Sequence, residues 1–166
     1  MATLQRLTSC LWFDNQAEEA AKFYTSVFKN STIGRIAYYG KEGQEEHRQE
    51  PGSVMTVEFE LDGHKFLGLN GGPIFKFNEA ISFIINCKDQ AEIDYYWEKL
   101  TAGGDPKAQQ CGWLKDKYGL SWQVAPTILA KMVSSEDKTK SGRMMQALMQ
   151  MKKLDIAQLE KAFNGD

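Results

Sequence analysis

Apolar residues recur along this chain in two rhythms, every second position and at i, i+3 and i+4, and the order in which the rhythms alternate predicts its elements. Leu7 to Phe13 is a compact apolar strand. Asp14 or Asn15 then stands as a helix cap before AEEAAKFYTSVF, in which Ala17, Ala20, Ala21, Tyr24, Val27 and Phe28 fall on one face. The helix is predicted to end near Lys29-Asn30. STIGRIAYYG follows as a strand, KEGQEEHRQEPG as a polar loop without periodicity, and SVMTVEFELDGHKFLGLNGG as a hairpin turning at Asp62-Gly63.

After the linker PIFKFN the order returns. EAISFIINC reads as a strand and DQAEIDYYWEKLTAGG as a helix capped by Asp89 and closed by Gly103-Gly104. Strands are predicted around Lys107 to Gln110, from Gly112 to Lys115, and from Leu120 to Val124, where Asp116-Lys117-Tyr118-Gly119 supplies the turn and Pro126 the stop. Only the order of elements repeats, not residue identity, which suggests a duplicated βαβββ module. Beyond Pro126, TILAKMVSS, RMMQALMQMKK and LDIAQLEKAFNGD carry helical spacing, with Asp155 as a cap for the last. Met144, Met145, Met149 and Met151 give this tail flexible thioethers, suited either to its own domain or to a dimer contact.

Composition narrows the classes. With 166 residues, 42% hydrophobic and 11% aromatic, the chain can bury a core. A net charge of −2, with basic and acidic residues interspersed, provides no stripe for nucleic acid. Cys10, Cys87 and Cys111 match neither a disulfide framework nor a zinc motif and read as buried free thiols. No run is long enough to span a membrane and the start lacks signal-peptide character, so a cytoplasmic protein is expected.

The repeated βαβββ order, a first helix closing in KFYTSVF, the segment LNGGPIFKFNEAISF and the closing DKYGLSWQVAP together resemble the PhnB-like proteins. These are also described as the 3-demethylubiquinone-9 3-methyltransferase family, within the glyoxalase, bleomycin-resistance and extradiol-dioxygenase (vicinal oxygen chelate) superfamily. The resemblance runs from Leu4 to Pro126, and MQALMQMKKLDIAQLEKAF resembles the subgroup's C-terminal extension. It implies an α+β fold in which modules over residues 4–70 and 79–126 form a curved mixed-sheet cup as one domain, 1–126, followed by a helical extension, 127–166.

Metalloenzymes of that superfamily hold a divalent ion on four side chains, typically His, Gln or Glu, from the first and last strands of each module. Carried over, those positions fall near Ser9, at Gly68 or Asn70, and on Ser82 and Gln123. Hydroxyls and a lone amide are weak neutral ligands, so no catalytic metal and no cofactor is expected. His47 and His64, in a polar loop and a hairpin turn, read as solvated.

If Gln123 faces inward, alternation carries Ser121 with it and sends Trp122 and Val124 to a helix-covered face. It likewise separates Ser82, Ile84 and Asn86 from Ile81, Phe83, Ile85 and Cys87, the set a helix should cover. On TSCLWF, Ser9, Leu11 and Phe13 oppose Thr8, Cys10 and Trp12, and either set can face the cavity. The expected ligand cavity combines Ser9, Asn70, Ser82 and Gln123 with Trp113 and, at the mouth, Trp12; alternatively the polar groups satisfy one another in a filled core. Glu58 and Glu60 read as a solvated edge. The favoured function is a small-molecule-binding protein, metal-independent and homodimeric. The alternatives are an enzyme, either a divalent-metal isomerase or dioxygenase or the quinone O-methyltransferase of the family description, and an interaction protein built on the methionine-rich tail.

Overall fold

A computed structural model of the chain describes residues 6–166, so the start of the first module at residue 4 lies outside the described residues. The chain divides into two compact units, Met1–Lys76 and Phe77–Asp166. Among the described residues no helix is long and apolar enough to cross a membrane.

The first unit runs β1 (Ser9–Phe13), α1 (Ala17–Val27), β2 (Thr32–Tyr38), α2 (Gln44–His47), β3 (Val54–Leu61) and β4 (His64–Asn70). Its sheet has the order β1-β4-β3-β2, with β1 parallel to β4 and the other pairs antiparallel. Asp62 and Gly63 adopt φ of 45° and 85°, the two left-handed positions that a tight hairpin turn demands. The polar loop is not wholly irregular, since α2 forms one turn inside it.

Helix α1 lies on one sheet face, where Ala17, Ala20, Ala21 and Tyr24 are fully buried. Its alanines admit close approach to the sheet, and Tyr24 stacks on Phe59, which stacks on Phe66, at 6.1 and 5.1 Å between ring centres. Neither Asp14 nor Asn15 caps this helix. Asn70, at the end of β4, accepts from the Ala17 N–H at 2.8 Å and donates to the Val54 carbonyl at 3.0 Å, so the cap comes from across the fold.

The second unit runs β5 (Phe83–Cys87), α3 (Gln90–Thr101), a 3-10 turn (Pro106–Ala108), β6 (Trp113–Lys115), β7 (Ser121–Pro126), α4 (Ile128–Val133), α5 (Lys138–Leu148) and α6 (Ile156–Asn164). Its sheet order is β5-β7-β6, with β5 parallel and β6 antiparallel to β7. The strand expected at Lys107 to Gln110 is absent. Pro106 begins a 3-10 turn whose Lys107 N–H is held by the Asp105 carboxylate at 2.9 Å, and Gln110 makes only a single bridge to Trp113 around the Cys111-Gly112 turn. Asp89 caps α3 through the Glu92 N–H and Asp155 caps α6 through the Gln158 N–H, each at 2.9 Å.

The tail belongs to this unit. Met132, Met144, Leu148, Leu154 and Leu159 form a buried cluster of their own. The carbonyls of Met151 and Lys152 accept from Cys111 and Gly112 N–H at 2.8 Å, and the Gln90 amide binds both the Leu154 carbonyl and the Ile156 N–H.

Candidate functional site

Strand β7 sorts its side chains by parity. Trp122 and Val124, with Ile85, Cys87 and Leu114, are buried on the face that α3 covers. Gln123 lies on the opposite face in one cross-strand row with Ile84 of β5 and Trp113 of β6, and Ser121 stands opposite Lys115. Ile84 is 57% exposed, so this row presents apolar surface beside an amide. Gln123 Nε2 donates to Ser82 Oγ at 2.9 Å. Ser82, Gln123 and Trp113 are therefore brought to one face of the second sheet. Ile81, expected under the helix, precedes β5 and is exposed.

The turn before β7 fixes this geometry. Asp116, 2% exposed, accepts from Tyr118 N–H at 2.9 Å, Leu120 N–H at 3.1 Å and the Trp122 indole N–H at 2.8 Å. One carboxylate thus closes the turn, starts the strand and locks the indole that sets its parity.

An open pocket of about 500 Å³ lies against this face, lined by Glu79, Ala108, Trp113, Lys115, Ser121 and Met149 among others. Lys115 pairs with Glu79, and that hydrogen bond holds the Glu79 carboxyl below its usual range. Ser121 is 1% exposed, and its Oγ is the one buried side-chain polar atom without a hydrogen-bond partner among the described residues. Cys111, with φ of 52°, also lines the pocket, and its sulfur lies 3.8 Å from that of Met149.

In the first unit, Ser9 shares the α1-covered face with Leu11 and Phe13, at the rim, where its Oγ is hydrogen-bonded to His64 Nε2 at 3.1 Å. Asn70 is 5% exposed, with its amide engaged at Ala17 and Val54. Gly68 faces Ala17, whose Cβ would lie 3.1 Å from an added Cβ, a tight contact that favours glycine. Trp12 sits on the helix-free face, donates to the Gly72 carbonyl at 2.8 Å and meets Phe75 edge-on at 4.9 Å. Its indole fills the space a side chain at Gly71 would need, which explains the Gly71-Gly72 step. Glu58 is bound by Arg35 at 2.8 Å, a hydrogen bond that keeps its carboxyl below the usual range and makes it a poor base. His47, half-buried, accepts from Gln49 N–H at 3.0 Å and packs on Tyr39 at 4.6 Å between ring centres.

These residues do not fit a divalent ion. Ser82 and Gln123 bond to each other, Ser9 bonds to His64, and Asn70 bonds to backbone; no group of three His, Cys, Asp or Glu side chains suited to a metal occurs among the described residues. Nor do they fit S-adenosylmethionine on a glycine-rich loop, since the strand-to-helix turns Asp14-Asn15-Gln16 and Lys88-Asp89 contain no glycine.

A family model described as 3-demethylubiquinone-9 3-methyltransferase matches residues 5–125. The chain belongs to this PhnB-like family. A solved relative, the PhnB protein from Bacillus cereus, is 35% identical over 74% of this chain and 99% of its own, and superposes with a TM-score of 0.62. A protein from Pseudomonas aeruginosa, 17% identical over 75% of this chain and 98% of its own, shares the fold at a TM-score of 0.55. A glyoxylase/bleomycin resistance protein/dioxygenase domain from Frankia is 12% identical over 75% of this chain and 93% of its own, with a TM-score of 0.46. No curated protein matches the chain.

Within this PhnB-like chain the sequence pointed to Trp113 but not to Lys115, Glu79 or Met149, which line the pocket with it; Ser82 and Gln123 lie on the same sheet face but outside that lining. Lys115 was within reach of the same parity argument that places Trp113 two residues earlier. Glu79 opens the segment read as a strand and Met149 stands in the helical tail, and neither spacing marks a wall of a pocket.

Proposed function

We propose that this chain binds a small organic molecule, without a catalytic metal, on the helix-free face of its second sheet. The observation that carries the reading is the pocket of about 500 Å³ at Trp113 and Ser121, a size typical of ligand sites and apolar apart from a few polar groups. Trp113, Ala108 and Met149 supply the apolar wall. The Ser82–Gln123 pair lies on the same sheet face beside the pocket, outside its lining, with the Gln123 Nε2 engaged by Ser82. The methyl transfer in the family description finds no cofactor device among these residues, so binding is the reading they support. Exposed Ile74, Phe75 and Ile81 support self-association as a homodimer.

Native mass spectrometry of the freshly purified chain tests both statements. The expected spectrum is a metal-free dimer that retains an organic adduct or takes one up. One divalent ion per subunit, stripped by chelator and restored stoichiometrically, overturns the metal-independent reading in favour of the superfamily's metalloenzymes.

A further inference from the structure

The pocket's polar groups speak to the charge of what it binds. Lys115 and Ser121 are register partners across β6 and β7, so their ammonium and hydroxyl rise side by side from the same face. The hydroxyl is buried and has no hydrogen-bond partner among the described residues, a donor prepared for an external acceptor. The Lys115 side chain is 24% exposed, whereas its counter-ion Glu79 is 63% exposed. The cation is thus built into the wall, and the carboxylate reaches it on a solvent-exposed side chain from the segment ahead of β5. Such an ion pair is weakly held and exchanges readily for a better one.

We infer that the pocket takes a small organic anion, a carboxylate on an apolar body, which displaces the Glu79 carboxylate from Lys115 and accepts a second hydrogen bond from Ser121 Oγ. The body of the ligand lies against Trp113, Ala108 and Met149. Glu79 then acts as an internal competitor that covers the lysine while the pocket is empty. This assignment rests on the small-molecule reading of the pocket and adds the ligand's charge and the residues that recognise it.

The test titrates the full-length chain, nitrogen-labelled at its four tryptophans, with benzoate and with benzyl alcohol, which match in size and differ in charge. The indole signal of Trp113, assigned with W113F, reports the site. Benzoate is expected to move that signal with an affinity about tenfold or more above that of benzyl alcohol. K115M is expected to reduce benzoate to the level of the alcohol. E79Q, which removes the competing carboxylate, is expected to tighten benzoate several-fold and leave the alcohol unchanged. Equal affinities, indifferent to both variants, overturn the anion assignment while the pocket reading stands. Benzoate weakened by E79Q also overturns it, because Glu79 would then belong to the binding site. No movement of the Trp113 signal by either probe at millimolar concentration overturns the pocket reading and this assignment together.

Discussion

Ser121 carries a buried hydroxyl that finds no hydrogen-bond partner among the described residues, and that makes its substitution informative in two directions. Removing an unsatisfied buried hydroxyl does not cost the bond it never makes, so Ser121→Ala is expected to leave stability unchanged or raise it by up to about 1 kcal/mol in urea unfolding, while weakening benzoate several-fold. Loss of stability instead would mean that the hydroxyl has a partner in the free protein. Asp116 is its opposite: three donors converge on one buried carboxylate, and Asp116→Ala orphans all of them. About 3 kcal/mol should be lost, with Asp116→Asn intermediate because it keeps one acceptor oxygen. Cys87 gives a pH dependence whose sign is fixed. Burial, with the Glu92 and Asp89 carboxylates nearby, pushes its thiol from 9.0 up to about 12. Below 9.0 both states are protonated and the thiol contributes no pH dependence; between 9.0 and 12 the unfolded chain ionises first, so stability falls as pH rises. Urea midpoints across that window should decline in the wild type and decline less in Cys87→Ala.

At the scale of elements, the ends of helices separate what is local from what is not. Asp89 and Asp155 each cap the helix that they immediately precede, so their roles were readable from sequence, as was the Asp62-Gly63 turn from its two left-handed positions. Helix α1 has equally good local candidates in Asp14 and Asn15, yet its first N–H is taken by Asn70, which lies 53 residues further along the chain. No pattern near α1 announces that bond, because it exists only once β4 lies parallel to β1. Asn70→Ala is therefore expected to cost about 1–3 kcal/mol, through the lost cap and the orphaned Val54 carbonyl, whereas Asp14→Ala stays within about 0.5 kcal/mol. Thermal unfolding of the two variants side by side decides between the distant cap and the local one. The same contrast runs through the site: parity along β7 was legible and placed Gln123 and Trp122 on opposite faces, but the 3-10 turn at Pro106–Ala108 replaced an expected strand because a cap at Asp105 and a missing N–H at Pro106 outweigh a short alternating pattern.

For the molecule as a whole, the tail carries an argument that the family does not. Residues 126–166 lie outside the segment that the family model matches, yet Met149 lines the pocket and the Gln110 amide donates to the Met149 carbonyl at 2.8 Å. The anchor of that arrangement is Leu154, fully buried, with its carbonyl bound by Gln90 of α3 and its side chain close against Gly112 in the turn that leads into β6. A cavity there loosens the cluster with Met144, Leu148 and Leu159 and, through Gly112, the turn that positions Trp113. Leu154→Ala is expected to cost about 2–5 kcal/mol. Hydrogen exchange followed by mass spectrometry should show the loss first in α5, α6 and the Cys111–Trp113 turn, with α1 and β1 to β4 keeping their protection, because those elements belong to the other compact unit. Benzoate affinity should fall with the protection of the turn. If α5 and α6 lose protection while the turn and the affinity hold, the tail is a separate structural addition and the pocket is built by the matched segment alone.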